Sequence, residues 1–253
     1  MNKTNSFTYV IGYKHSNDRI NNLRRVLDWI NGFQGVDVIL VEQDKHSKIS
    51  HLNLNCRHIF LKTKQPYNRS WAFNVATKNA KSGIIVFGDS DIIMDPNKFI
   101  ESLRNLEKFD MVSPYKSVLD LTPEESNLPL TELYKINKSG RGEHDNQKIN
   151  PCGGIVMYRA DAINKIGGWC EDFIGWGGED DFEFIKSSSF LTWTEMPNKC
   201  YHLYHNRTAP DKVGYQKTLQ LLNTLKSLSK EDLARHISTS APRIGRRNLN
   251  DNY

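Results

Sequence analysis

Short apolar runs alternate with amphipathic stretches along the first half of the chain. The runs have the length and residue types of β-strands, and the stretches between them have helical spacing. This alternation is typical of an α/β sheet built from βα units. The predicted strands are 7–13, 36–41, 57–61 and 83–87, and the predicted helices are 20–30 and 70–80.

The second half of the chain is less regular. A helix is predicted over 97–109, and a strand over 153–158 leads into a helix over 160–166. Between them, 117–148 is polar, contains prolines and glycines and shows little periodicity, which predicts a long functional loop. An apolar stripe predicts a last helix over 213–228.

Composition fits an ordinary globular domain. The chain has 253 residues, of which 38% are hydrophobic and 25% charged, enough for one substantial core. No stretch approaches the roughly 18 apolar residues that a membrane-spanning helix needs. The N-terminus does not have the pattern of a secretory signal, so we expect a cytoplasmic protein. Its four cysteines lie far apart, which argues against a zinc site or a disulfide framework.

Two aspartates directly follow a predicted strand. Asp89 and Asp91 come after the apolar run 83–87, and ligands of open α/β sheets bind beyond the carboxyl ends of strands. Carboxylates at this spacing offer hard oxygen ligands to Mg²⁺ or Mn²⁺, which can bridge to phosphate oxygens. For an isolated pair of this kind a capped turn is the better interpretation, so the neighbouring motifs decide.

A segment rich in glycine and tryptophan ends in three acidic residues, 179–181. Trp176 offers a flat apolar face of the kind on which sugar rings pack, and Gly177 and Gly178 let the backbone approach a ligand closely. The dipole of a following helix, predicted from about 181 to 186 or beyond, would favour some of these acids. That interpretation does not account for the tryptophan and the glycine pair before them.

Four segments together resemble the GT-A-fold glycosyltransferases, most closely the β-1,4-galactosyltransferase and chondroitin-synthase type. They are the first strand with its loop to Arg19, Tyr67-Asn68-Arg69 with Asn74, Gly88-Asp89-Ser90-Asp91, and Trp176-Gly177-Gly178-Glu179-Asp180-Asp181. The last segment is the most specific. Phe182 departs from the family pattern, in which a third acid is common.

The resemblance covers most of 7–207 and implies a single α/β domain of the GT-A type over 1–253, with a mixed central sheet flanked by helices. Residues from about 7 to 110 would form the half that binds the nucleotide sugar. Residues from about 150 to 207 would form the acceptor and catalytic half, and 208–253 a C-terminal helix with a basic tail.

The resemblance also implies a role for individual residues. Asp180 would be the general base that deprotonates the acceptor hydroxyl, and Glu179 would help to hold the acceptor. The residues implied in donor binding are Tyr13, Arg19, Glu42, Arg69, Asn74, Asp89 and Asp91. Those implied in acceptor binding are Trp176, Gly178, Glu179 and Asp181. For Glu42, an ordinary polar loop after a strand is an equally simple interpretation.

Two histidines complete the candidate metal site. The family places a metal-binding histidine in the region that His205 matches best, and an imidazole can complete the coordination that Asp91 begins. Asp89 and His202 are further candidate ligands, and His202 is equally compatible with a diphosphate contact or a core histidine. The expected cofactor is Mn²⁺ or Mg²⁺.

The sequence therefore predicts a metal-dependent, inverting glycosyltransferase that moves a sugar from a UDP-sugar to a hydroxyl, with a glycan as the expected acceptor. A phage-type enzyme that glycosylates hydroxymethylated DNA bases stays open, because the chain ends in a basic tail with Arg243, Arg246 and Arg247. A non-catalytic carbohydrate- or nucleotide-binding module is a third alternative, but it would have no use for a base at Asp180.

In the loop over 117–148, Arg141 and His144 would reach phosphates only if the loop closed as a lid.

Overall fold

The computed structural model describes residues 6–143, 148–206, 211–241 and 245. Within these residues, the strands of a seven-stranded central sheet are β1 (Phe7–Tyr13), β2 (Val36–Asp44), β3 (Arg57–Lys62), β4 (Ile84–Gly88), β6 (Met111–Ser113), β8 (Ile155–Arg159) and β9 (Trp193–Glu195). A smaller sheet contains β5 (Ile92–Met94), β7 (Ser117–Asp120) and β10 (Lys199–His202).

The central sheet is mixed, with the strand order β3-β2-β1-β4-β8-β6-β9. Strands β1 to β4 pair in parallel, β8 runs antiparallel to both β4 and β6, and β9 is parallel to β6. Strands β1 and β4 are buried on both faces, which explains why their sequences are mostly apolar.

Helices cover both faces of the central sheet. Within the described residues they are α1 (Arg19–Ile30), α2 (Arg69–Asn79), α3 (Pro96–Arg104), α4 (Leu130–Leu133), α5 (Ala160–Lys165), α6 (Glu179–Phe190), α7 (Lys212–Lys226) and α8 (Lys230–Ser240). Several begin at a capping side chain: Asn68 accepts a hydrogen bond from the backbone of Trp71, and Asp95 caps α3 before a proline at its first position.

The core has two main clusters because alternate residues of a strand point to opposite faces. Tyr9 and Ile11 of β1 pack with Trp29 of α1 and Phe99 of α3 on one face. Val10, between them, belongs to the other cluster, in which α2 and α5 cover the sheet. A third, smaller cluster joins α6 to the C-terminal helices α7 and α8.

The smaller sheet determines the geometry of the site. Residues 89–91 connect the end of β4 to the start of β5, so Asp91 lies at the junction of the two sheets. Antiparallel pairing of β10 with β5 places His202 opposite Ile92. Parallel pairing of β10 with β7 places the same histidine opposite Asp120. Three segments distant in sequence therefore meet beside the carboxyl end of β4.

The α/β fold and the mixed sheet with flanking helices are confirmed. The predicted strands of the first half lie within a few residues of the observed ones. The helix predicted over 97–109 ends at Arg104 and continues only as a short 3₁₀ turn, Asn105–Glu107.

The structure differs from three of the predictions of local structure. The predicted loop 117–148 contains β7, a 3₁₀ turn at Glu125–Asn127 and α4. β7 has only four residues, and it pairs with β10, some 80 positions later in the chain. A strand this short shows no alternation of apolar and polar residues from which it could be predicted. The helix predicted from 181 begins at Glu179, because Gly178 supplies the left-handed turn before it. Part of the segment predicted as a basic tail, Lys230–Ser240, forms helix α8, which packs on α6 through Leu233 and Ile237.

A buried amide joins α2 to the segment after α5. The Asn74 side chain is fully buried, donates to the Trp169 carbonyl at 2.8 Å and accepts from the Trp169 backbone N–H at 2.9 Å. Its Nδ2 also donates to Glu171 Oε1 at 2.8 Å. Asn74 thus satisfies two backbone groups that water does not reach, and it holds Trp169 against the sheet.

We expect Asn74→Ala to lower the free energy of unfolding by about 3 kcal/mol, because it leaves two buried backbone groups of Trp169 without partners. Urea unfolding followed by circular dichroism measures this. Asn79→Ala on the same helix is the matched control: its exposed side chain donates only to the Val75 carbonyl, so its effect stays below about 0.5 kcal/mol. Equal losses in the two variants would contradict the assigned role of Asn74.

Candidate active site

A cleft of about 660 Å³ opens at the carboxyl ends of β1 and β4. It gathers residues from the β1–α1 loop, the start of α2, the β4–β5 connection, the start of α6 and the end of β10. The predicted site residues that line it are Arg19, Arg69, Asp89, Asp91, Trp176, Glu179, Asp180, His202 and His205. The structure thus brings most of the candidate donor, metal and catalytic residues to one place.

Arg69 lies at the centre of this cleft and is almost fully buried. Its guanidinium pairs with the Asp180 carboxylate and lies 3.0 Å from Asp89 Oδ1. The guanidinium also lies over the rings of Phe73, at 4.7 Å, and Trp169, at 5.3 Å. These partners fix its position, and the nearby carboxylates raise the pKa of Arg69 despite its burial.

Asp180 is a carboxyl group that retains its proton more readily than an exposed aspartate. Burial raises the pKa of Asp180 to about 8, and the neighbouring Glu179 and Asp89 carboxylates act in the same direction, against the effect of Arg69. A group with a pKa near the working pH can both accept and release a proton, which a general base requires. Burial likewise raises the pKa of Glu179.

Asp91, His202 and His205 form a group with the chemistry of a metal site. Each of the three residues offers one ligand atom, and these atoms all lie within 4.8 Å of one another. Among the described residues, no other set of three or more histidine, cysteine, aspartate or glutamate side chains meets this criterion. His205 Nε2 is 3.4 Å from Asp91 Oδ2, and His202 Nε2 is 3.9 Å from Asp91 Oδ1. One carboxylate and two imidazoles suit a first-row divalent cation such as Mn²⁺. Burial and the Asp89 charge raise the pKa of Asp91, so a cation here would relieve an unfavourable negative charge.

Trp176 is the most exposed aromatic side chain beside the cleft, with 62% of its surface accessible. Its ring lies 5.2 Å from that of Tyr215 on α7, and its carbonyl accepts a hydrogen bond from Thr218. Gly177 follows with a φ of 97°, and a Cβ there would lie 3.0 Å from the Tyr215 ring. Glycine at this position therefore allows α7 to support the tryptophan.

Five residues implied by the family resemblance do not line the cleft. Tyr13 is buried, and its hydroxyl lies 3.3 Å from His15 Nδ1. Glu42 is also buried and accepts hydrogen bonds from Ser47 and the Lys48 backbone, so it organises the loop after β2. The other residues are Asn74, Gly178 and Asp181; Asn74 and Gly178 have the structural roles given above, and Asp181 accepts a hydrogen bond from Asn150.

Lys14 and Tyr67 line the cleft, although the sequence analysis gives neither an individual role. Lys14 directly follows β1, a position from which a side chain reaches the cleft, and this signal was available in the sequence. Tyr67 was recognised only as part of a motif; its hydroxyl packs where a Cβ at Gly12 would lie. Arg141 also lines the cleft and pairs with Asp120. His144, Arg243, Arg246 and Arg247 lie outside the described residues.

Comparison with known proteins agrees with this geometry. Residues 144–206, which include the acidic motif and both histidines, match the family described as the N-terminal domain of galactosyltransferase. The catalytic domain of Drosophila β1,4-galactosyltransferase 7, in complex with xylobiose, superposes with a TM-score of 0.52 at 16% identity, over 85% of this chain and 79% of that one. No curated protein sequence matches the chain.

Two further solved structures contain a nucleotide and a metal. A mutant of the same Drosophila enzyme, in complex with manganese, UDP-Gal and xylobiose, has a TM-score of 0.51 at 14% identity, over 84% of this chain and 79% of that one. GalNAc-T7 with UDP, GalNAc and Mn²⁺ has a TM-score of 0.62 at 11% identity, over 98% of this chain and 57% of that one.

The chain has the GT-A glycosyltransferase fold. The family match and the structural neighbours together support glycosyltransferase activity. In the part of this GT-A domain that the structure describes, no helix is both long and apolar enough to cross a membrane. Cys56, Cys152, Cys170 and Cys200 are free thiols in the structure.

We expect Arg69→Met to destabilise this GT-A domain by about 3 kcal/mol at pH 9, because Asp180 and Asp89 lose the cation that offsets their charge. The loss should be smaller at pH 6: Asp180, with a pKa of about 8, is then protonated in the folded state and needs its partner less. Chemical unfolding at both pH values measures the difference.

Arg57→Met provides the control for this experiment. Arg57 pairs with Asp37 on the surface, with 42% and 31% of the two side chains exposed, so its loss costs less than about 1 kcal/mol at either pH. An Arg69 variant with the same stability loss at both pH values would contradict the interaction with Asp180.

Proposed function

We propose that this chain is a metal-dependent, inverting glycosyltransferase that transfers a sugar from a UDP-sugar to a hydroxyl of a glycan acceptor. The observation that carries the proposal is the composition of one cleft. It contains a ligand set for a divalent cation, Asp91 with His202 and His205, together with Asp180, a carboxyl group whose pKa is raised to about 8. A site that only bound sugar or nucleotide would have no need of a carboxyl group that can accept a proton, such as Asp180.

The donor half of the cleft is suited to a nucleoside diphosphate. A divalent cation held by Asp91, His202 and His205 would neutralise the charge that develops on a departing diphosphate. Lys14 and Arg19, which line the same cleft, add positive charge for the phosphate oxygens. The complexes of the structural neighbours with UDP and manganese support UDP as the nucleotide.

On the acceptor side, Asp180 is the proposed general base. Its carboxylate accepts the proton of the acceptor hydroxyl while the oxygen attacks the anomeric carbon and the bond to the diphosphate breaks. Attack from the face opposite the leaving group inverts the configuration at that carbon. Arg69 holds the Asp180 carboxylate in place and favours its ionised form, and Glu179 lies beside it at the start of α6.

An exposed aromatic ring favours a carbohydrate acceptor. Trp176 presents its face at the rim of the cleft, where the apolar face of a sugar ring can pack on it. No observation on the described residues supports DNA as the acceptor, and the arginines that suggested it lie outside them. We therefore propose a glycan.

The roles of Asp180 and Asp91 are separable. Asp180→Asn keeps the size of the side chain but cannot accept the proton, so transfer should fall by about 10²-fold or more with donor binding little changed. Asp91→Asn removes a metal ligand and should weaken the binding of Mn²⁺ and UDP together. A screen of UDP-sugars for UDP release identifies the donor, and calorimetry with UDP and Mn²⁺ measures binding.

Asp161→Asn is the control, since Asp161 is an exposed carboxylate on α5 that pairs with Arg159. This substitution should leave the transfer rate and the binding of UDP and Mn²⁺ unchanged. The assignment of the base is wrong if Asp180→Asn transfers sugar at the wild-type rate, or if it loses donor binding as severely as Asp91→Asn. Full activity after rigorous removal of metal would contradict the role of the cation.

A further inference from the structure

His202 is held from behind by a carboxylate that lies outside the cleft. Its Nδ1 is 2.8 Å from Asp120 Oδ1, and the parallel pairing of β7 with β10 places the two residues opposite each other. On the cleft side, its Nε2 faces Asp91 at 3.9 Å, and the His205 ring is 5.2 Å away, edge to face. The imidazole thus lies between two carboxylates, one on each nitrogen.

This arrangement determines which ring nitrogen of His202 carries the proton and which one offers a lone pair to a metal. A carboxylate can only accept a hydrogen bond, so Asp120 requires the proton on Nδ1. The lone pair of a neutral His202 is then on Nε2, the atom that points towards Asp91. Metal-binding histidines in proteins commonly donate their other ring N–H to such a carboxylate, which fixes both the tautomer and the ring orientation.

Asp120 is itself anchored. Arg141 donates to both of its carboxylate oxygens, at 2.8 and 3.1 Å. The backbone of Arg141 exchanges two hydrogen bonds with Val118 of β7, each 2.9 Å long. The hydrogen bonds from His202 and Arg141 hold the pKa of Asp120 below its usual value, despite partial burial. A carboxylate fixed in this way is in place before any cation binds.

We propose that Asp120 is a positioning residue for the metal site: it orients His202 through Nδ1 so that Nε2 is directed, with Asp91 and His205, at one divalent cation. This inference rests on the proposed function, because it requires that the three residues bind a metal. It adds to the site a residue that lies behind the cleft, and Arg141, which lines the cleft, holds that residue in place.

The test compares Asp120→Ala with Asp37→Ala. Asp37 is a matched control because it also pairs with an arginine through both oxygens, at 2.9 Å each, with similar exposure, but holds no histidine. Mn²⁺ binding is measured without nucleotide, from the electron paramagnetic resonance signal of free Mn²⁺. We expect the Kd for Mn²⁺ to rise about 10- to 100-fold in Asp120→Ala and to stay at the wild-type value in Asp37→Ala.

A second readout needs no metal. Nitrogen-15 NMR of the metal-free protein, with its histidines labelled, should show His202 of the wild type protonated on Nδ1, and Asp120→Ala should lose this preference. Thermal unfolding of both variants shows whether they are folded.

The outcomes separate the two claims. If the wild type binds no Mn²⁺, the metal dependence in the proposed function fails. If the wild type binds Mn²⁺ but Asp120→Ala binds it within about twofold of the wild type, or keeps the Nδ1 proton, only the role of Asp120 is overturned. An equal loss of Mn²⁺ binding in Asp37→Ala would also overturn the role of Asp120, because loss of any carboxylate paired with an arginine would then weaken Mn²⁺ binding.

Discussion

The site depends on the ion pairs that the buried guanidinium of Arg69 makes with two carboxylates. The guanidinium connects Asp89, at the end of β4, to Asp180, in the first turn of α6, two segments about 90 positions apart in the chain. Because each carboxylate would be unfavourable beside the other without a cation, Arg69 makes their proximity possible. Its stacking on Phe73 and Trp169 ties this charged centre to the apolar core.

The proposed metal ligands and the proposed general base come from different elements around this centre. The small sheet of β5, β10 and β7 brings the two histidines to Asp91, away from the start of α6. At the other side, Gly177 and Gly178 take positive φ angles, so the chain turns sharply from Trp176 into α6 and presents Glu179 and Asp180 to the cleft. A cation and a general base can thus act on opposite ends of one reaction.

Much of the fold could be predicted from the sequence, because β1, β2 and β4 are short, mostly apolar runs and the amphipathic helix α1 lies between the first two. The cluster of Asp89, Asp91 and Asp180 could also be found, since acids after a strand and in a glycine-rich turn are conspicuous. The function of Asn74 could not: its partners, Trp169 and Glu171, are about 95 positions away. Likewise, nothing in the four residues of β7 indicates that Asp120 would meet His202, because this contact depends on strand register.

Glu42 and Tyr13 show the limit of transferring residue roles by resemblance. Both were placed in the donor site, and in the structure both are buried outside the cleft, with Glu42 satisfied by a serine, a backbone N–H and His58. Position at the carboxyl end of a strand, as for Tyr13 in β1 and Glu42 in β2, predicts that a side chain lies near the correct edge of the sheet. It does not predict whether the side chain points into the cleft or into the loop beside it.

We propose one cation site, made of Asp91, His202 and His205, beside a general base in the same cleft. Anomalous diffraction at the manganese absorption edge, from crystals grown with UDP and Mn²⁺, tests it most directly. We expect one strong peak within coordination distance of all three side chains and of the diphosphate, with Asp180 unligated. A peak that involves Asp180 in place of the histidines, or UDP bound in the cleft without any peak, would contradict it.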